Sequence, residues 1–212
     1  MADATSRSLL HQGLQTLQIA VTPEQEERLL AFLDLLAKWN KAYNLTAVRD
    51  PHEMVARHLL DSVSIAPWVT ASRVLDVGAG GGLPGVPLAI LAPERSFELL
   101  DSNGKKTRFL LQCKLELGLD NLTVHHCRAE DYQPRDGFEL ITSRAFTALA
   151  NLVTWCEHLL APGGRFLAMK GTFPEDEVAD LSSGWALLEQ HRLQVPGCEA
   201  DRHLLMIGRT DQ

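Results

Sequence analysis

The sequence predicts a doubly wound, mostly parallel α/β sheet of the Rossmann-like kind, preceded by an all-helical extension. Three observations carry this. A short apolar run, Val74-Leu75-Asp76-Val77, ends in five glycines within eight residues (Gly78, Gly80, Gly81, Gly82 and Gly85), and an apolar stretch follows at once. That order reads as strand, tight turn and helix start. Downstream, strand-like apolar runs alternate with helix-periodic segments, the pattern of parallel strands joined by crossovers. Upstream, roughly the first 66 residues show only helical patterns.

The elements follow in order. Residues 6–20, with Leu9, Leu10, Leu14 and Leu17, give a short amphipathic helix interrupted by Gly13. Thr22-Pro23-x-Gln25 carries a capping box with proline at the first helical position. From it Leu29, Phe32, Leu33, Leu36, Trp39 and Tyr43 form one stripe of a long helix. Asp50-Pro51-His52-Glu53 repeats the start signal, and Met54, Val55, Leu59 and Val63 would face inward. Arg57 and Asp61, one turn apart, suggest an ion pair, and His58 reads as a structural histidine. After the glycine turn come a strand over 96–100 closed by Asp101 and a helix over 105–117 stopped by Gly118. A strand over 122–126 leads to Ala129-Glu130-Asp131, and another over 138–142 leads to Ser143-Arg144-Ala145-Phe146. A helix over 147–160 would end at Pro162-Gly163-Gly164, before a strand over 165–169. A helix over 175–188 and two strands, near 192–195 and 203–208, close the chain as an antiparallel edge hairpin. The expected division is a helical extension (1–66) and a Rossmann-like domain (67–212), packed as one unit.

The glycine turn sets up a ligand site. Glycine lets the backbone approach a bound molecule, and the helix N-terminus beyond it offers free N–H groups. Gly-x-Gly-x-x-Gly fits only in the frame Gly80, Gly82, Gly85, and Asp76 is a poor neighbour for a pyrophosphate. A carboxylate suits a cationic or zwitterionic cofactor instead. Asp76-x-Gly78-x-Gly80 therefore points to S-adenosylmethionine, which has a sulfonium and an ammonium and no phosphate.

In such sheets ligands bind outside the carboxyl ends of the strands. Asp101 lies 19 residues after Gly82, the place of a ribose-binding acid, although it can also cap the helix that follows. Ala129 and Glu130 follow the third strand, where an adenine would lie. Arg144 follows the fourth, facing the methyl donor. Many amino-group methyltransferases carry an Asn/Asp-Pro-Pro-aromatic tetrad at that point. Ser143-Arg144-Ala145-Phe146 argues for a different acceptor, such as a guanine O6 or a phosphate met by an arginine. Lys105, Lys106 and Arg108 form a basic patch at a helix start.

Composition bounds these readings. The chain has 212 residues and a net charge of −7, so nucleic acid would be gripped only by a local basic face on an acidic body. No apolar run is long enough to span a membrane, and the N-terminus lacks a signal-peptide layout. Cys113, Cys127, Cys156 and Cys198 have no metal-binding spacing and read as small buried hydrophobes of a reducing, cytoplasmic compartment.

Several stretches together resemble the bacterial RsmG (GidB) family: Trp39-Asn40-Lys41-x-x-Asn44-Leu45-Thr46-Ala47, Arg57-His58-x-x-Asp61-Ser62, the glycine loop with Leu83-Pro84-Gly85-x-Pro87-Leu88-Ala89-Ile90, Ser143-Arg144-Ala145-Phe146 and Lys170-Gly171. The resemblance runs from about Leu29 to Gly208; Gly81 stands where some relatives have proline. It implies a class I S-adenosylmethionine-dependent methyltransferase that makes N7-methylguanine at position 527 of 16S rRNA in the small ribosomal subunit. It places cofactor contacts on Gly78, Leu83, Ala129, Glu130 and Arg144, beside Asp76, Gly80 and Asp101 from the residues themselves, with Arg144 the candidate catalytic residue. A monomer without metal or membrane partner is expected. Two other readings stay open on residues alone: a nucleotide-dependent oxidoreductase, which lacks a Tyr-x-x-x-Lys or Cys/His constellation here, and a non-catalytic ribosome- or RNA-binding module.

Overall fold

The computed structural model describes residues 3–210. Helix α1 (Ala4–Thr16) and helix α2 (Pro23–Tyr43) form most of the extension, and Thr22 and Gln25 make the predicted reciprocal cap on α2. Gly13 does not interrupt α1: it lies buried inside the helix, where a Cβ would strike Leu60. The apolar stripe of α2 is buried through Leu36, but Tyr43 is exposed at its end, stacked on Trp39. Asp50 caps α3 (Pro51–Met54) by accepting from the N–H groups of His52 and Glu53. The chain continues through a wider π-helical stretch, Val55–Leu60, into α4 (Asp61–Val63). Met54, Val55, Leu59 and Val63 are all buried, as their spacing requires.

Seven strands form one sheet in the order β3-β2-β1-β4-β5-β7-β6. They are β1 (Arg73–Val77), β2 (Ser96–Asp101), β3 (Leu122–His126), β4 (Phe138–Arg144), β5 (Leu160–Lys170), β6 (Trp185–Arg192) and β7 (His203–Arg209). Strands β1 to β5 run parallel, while β7 is antiparallel to both β5 and β6. The crossovers include α5 (Gly85–Leu91), α6 (Gly104–Leu117) and α7 (Leu149–Cys156). Alternation along each strand sorts side chains between two cores. Leu75, Val77, Leu100 and Ile141 pack with α7 on one face. Val74, Leu99, Phe109 and Leu140 share the other with Leu10, Leu29, Phe32 and Leu59 of the extension. The extension thus covers the same face as α5 and α6, and Asp76 and Arg144, in step with Val74 and Leu140, point to that side.

The C-terminal third departs from its sequence reading. The helix after β4 is shorter than 147–160, passing at Cys156 into a 3-10 turn, Glu157–Leu159. Pro162-Gly163-Gly164 does not separate helix from strand; it forms a bulge inside β5, where the register against β4 shifts between Phe138 and Leu140. The helix expected over 175–188 stops as α8 (Glu175–Ala179), and after a turn its last residues open β6. Trp185 explains the change: it packs against Phe166 and under the Arg209 guanidinium, 4.7 Å away, so tertiary contacts override local helical preference. The strand expected near 192–195 lies almost wholly in the irregular segment beyond β6. β6 itself carries a register shift between Leu187 and Glu189.

A Cβ on Gly164 would lie 2.6 Å from the Phe138 carbonyl oxygen and 2.9 Å from that of Ala161, both fixed backbone. Gly164→Val should therefore lower stability by about 1–3 kcal/mol, the usual range for overpacking. A urea-unfolding midpoint equal to that of the parent protein would contradict this.

Candidate active site

The glycine turn is held at two points by carboxylates. Asp76, fully buried beneath it, accepts a hydrogen bond from the Gly85 N–H at 2.9 Å. Gly85 is the residue type this approach demands, since a Cβ there would lie 2.7 Å from Asp76 Oδ2. Asp101 reaches across from β2 and accepts from the Gly80 N–H at 2.9 Å through Oδ2 and from the Asn103 N–H at 2.8 Å through Oδ1. Each Asp101 oxygen keeps capacity for a further donor. The cap of α6 is Asn103, not Asp101. At the start of the turn Gly78 has φ +64°, and a Cβ would run into the Phe146 ring.

Two adjoining cavities open over this turn and share Gly78, Lys106 and Ala145. The outer, about 290 Å³, lies between Asp101, Ala129, Glu130, Phe146 and Trp155, the two rings meeting edge-on at 5.9 Å. The inner, about 200 Å³, lies between Gly80, Leu83, Thr46, His58 and Arg144. The extension supplies one wall of it. Asn40 Oδ1 accepts the Thr46 N–H at 2.9 Å, and Thr46 Oγ1 lies 2.7 Å from His58 Nε2. His58 Nδ1 lies 3.2 Å from Arg144 Nη2, and Arg144 Nη1 lies 3.0 Å from Asp61 Oδ2. The expected Arg57–Asp61 pair does not form: Arg57 turns to Glu53 at 3.6 Å, and Asp61 takes Arg144 and Arg202 instead. The π-helical stretch accounts for this, because it rotates Asp61 inward while Arg57 stays exposed.

Burial governs the charges. It lowers the His58 pKa to about 4, with the Arg144 cation adding to the effect, so this imidazole is neutral. Burial raises the Asp76 pKa to about 7, against the Gly85 N–H, the Thr142 hydroxyl and Arg144, which lower it. Burial also raises Asp61, with Arg144 and Arg202 opposing; two guanidinium groups at 3.0 Å keep it a carboxylate at neutral pH.

Of the residues singled out from sequence, Gly78, Asp101, Ala129 and Glu130 line the outer cavity, and Gly78, Gly80, Leu83 and Arg144 the inner. Asp76 lines neither; its carboxylate lies under the turn. Sequence reasoning missed the aromatic wall of Phe146 and Trp155, and the joining of Thr46, His58 and Asp61 to Arg144. Ala145, at φ +51° without being glycine, marks the same spot in the backbone. Cys127 is half-buried and lines the outer cavity, so the four free cysteines are not all packed in the interior.

This strand order and glycine turn define the class I S-adenosylmethionine-dependent methyltransferase fold. The glycopeptide N-methyltransferase MtfA, solved with S-adenosylmethionine, shares it at a TM-score of 0.59 and 14% identity, over 73% of this chain and 88% of its own. Within that class the chain belongs to the rRNA small subunit methyltransferase G family, which matches residues 25–205. Ribosomal RNA small subunit methyltransferase G of Marinobacter nauticus is 63% identical over 96% of this chain and 95% of its own. The protein of the same name from Pseudomonas syringae pv. syringae is 57% identical over 95% and 94%.

His58 makes the site sensitive to acid. Its folded pKa lies near 4, below the ordinary 6.5, so the unfolded chain binds the extra proton between these values. Its contribution is whole above pH 6.5 and is lost, by roughly 3 kcal/mol at most, as pH falls toward 4. Asp76 acts with the opposite sign over part of this window, so the comparison must be between proteins. The stability of the parent should fall more steeply from pH 7 to 4.5 than that of His58→Gln, as read from urea midpoints. Parallel curves would remove the effect from His58.

Proposed function

We propose that this chain transfers a methyl group from S-adenosylmethionine to N7 of guanine 527 in 16S rRNA of the small ribosomal subunit. We place it in the cytoplasm, acting as a monomer. Family membership supports the enzyme class and the ribosomal substrate. The observation that carries the reading onto this chain's residues is the two-lobed cleft joined at Gly78, with Asp101 at one end and Arg144 at the other. No helix among the described residues is long and apolar enough to cross a membrane.

The cleft suits the cofactor chemically. The outer cavity has nucleoside dimensions, a carboxylate with spare acceptor capacity at Asp101, and aromatic walls. Asp101 would hold the ribose hydroxyls, Ala129 and Glu130 the adenine edge, and Gly78, Gly80 and Leu83 the amino-acid end. S-adenosylmethionine supplies a methyl group made electrophilic by the sulfonium. Guanine N7 already carries an in-plane lone pair, so the chain's task is orientation and charge placement rather than proton removal. Arg144, at the end of β4, would hold guanine O6 or a neighbouring phosphate so that N7 faces the donor. Neutral His58 adds no positive charge beside the sulfonium.

The direct test is transfer of radiolabelled methyl to small subunits from a strain lacking this protein. Label should appear in 16S rRNA as N7-methylguanine; its absence would refute the reading. Asp101→Ala should weaken S-adenosylmethionine binding by ~1–3 kcal/mol in calorimetry, the range for losing hydrogen bonds to a charged group. An unchanged affinity would leave Asp101 only its role in pinning the turn. Arg144→Ala should lower turnover under saturating cofactor more than it lowers cofactor affinity. A parental rate would take Arg144 out of the chemistry.

A further inference from the structure

The Asp61 carboxylate is almost wholly enclosed, its side chain 3% exposed, and lies between two guanidinium groups. Oδ1 accepts from Arg202 Nε at 3.0 Å, and Oδ2 lies 3.0 Å from Arg144 Nη1. Arg202 is held from behind as well, by its own bond to the Asp201 carbonyl at 2.8 Å. Arg144 Nη1 makes no hydrogen bond to the described residues despite its ion pair, while Nη2 faces His58. The guanidinium is therefore held from the extension's side by one charge, with the His58 ring beside it at 3.2 Å, and it borders the inner cavity beside the glycine turn. Enclosing a carboxylate is costly, and a hydrophobic residue of like volume often serves stability as well. Asp61 instead pairs with a guanidinium that borders the inner cavity, which a hydrophobic residue could not do.

We propose that Asp61 is a positioning residue: it aims the Arg144 guanidinium into the inner cavity, while Arg202 offsets the cost of burying the Asp61 charge. This rests on the reading that Arg144 orients the acceptor. An arginine side chain has many rotamers, and one anchored at the far edge of its guanidinium presents its remaining N–H groups in a single direction. Asp61 would thus act on the chemical step without touching either substrate.

The test uses the full-length protein with isolated small subunits. Asp61→Asn keeps size and removes charge. Its kcat should fall tenfold or more, with KM for subunits and the calorimetric affinity for S-adenosylmethionine within about threefold of the parent values. In Arg144→Ala the further change Asp61→Asn should alter kcat by less than twofold, because the arm it aims is gone. Arg202→Met, which leaves the Asp61–Arg144 pair intact, should retain kcat within about fivefold and less of its melting temperature. If Asp61→Asn does not fold, Asp61→Glu replaces it, and a fivefold loss of kcat in the folded protein supports the proposal. A parental kcat in either Asp61 variant, multiplicative losses in the double variant, or an Arg202→Met loss equal to that of Asp61→Asn would each overturn it; the last would mean Asp61 only ties the extension to the β6–β7 connection. Arg144→Ala on its own separates the two readings. If it is fully active the role of Arg144 falls, whereas a slow Arg144→Ala beside a normal Asp61→Asn removes only Asp61.

Discussion

Everything at the cleft depends on keeping a glycine-rich segment open and in one shape. Such a segment has the largest conformational freedom to lose on folding. Two carboxylates on neighbouring parallel strands supply the restraint, Asp76 holding Gly85 and Asp101 holding Gly80. Both lie on the same face because β1 and β2 run parallel and in register, with Asp76 opposite Leu99 and Val77 opposite Leu100. The sheet's register therefore sets the shape of the turn, and the turn sets the floor of both cavities. Asp101 serves at once as restraint and as cavity wall.

The helical extension completes this arrangement rather than decorating it. Its α2 and π-helical segments bury leucines and Phe32 in the core that α5 and α6 also share. Its polar residues converge on the end of β4. The chain from Asn40 through Thr46 and His58 to Arg144 spans four separated stretches of sequence. An acidic protein can thus present a concentrated positive group at one place, with the surrounding neutral imidazole and buried carboxylate shaping its field.

Much of this was legible in the sequence, and the exceptions have physical reasons. The caps at Thr22 and Asp50, the stop at Gly118 and the strands through β4 were readable because local signals and tertiary structure agree there. Residues 175–192 were misread because Trp185 is decided by Phe166 and Arg209, far away in sequence. The Pro162-Gly163-Gly164 bulge was hidden for a related reason, since turn residues inside a strand look the same as turn residues between elements. At the site, Asp101, Ala129, Glu130 and Arg144 were placed by their strand-end positions, and all four border the two cavities. Asp76 was assigned a place beside the ligand on charge alone, whereas its carboxylate accepts from the Gly85 N–H beneath the turn. Asp61 was given the wrong partner because ordinary helical spacing does not hold across a π-helical stretch.

The register shift in β6 has a consequence for how the molecule behaves in a crowded solution. β6 is the outer strand on that side of the sheet, with β7 its sheet neighbour. A long flat outer strand is a template on which another polypeptide can add itself. Here the ladder breaks between Leu187 and Glu189, leaving Leu188 exposed at the break, and Glu189, Gln190 and His191 follow. The kink and the polar run together make that margin a poor surface for aggregation by strand addition.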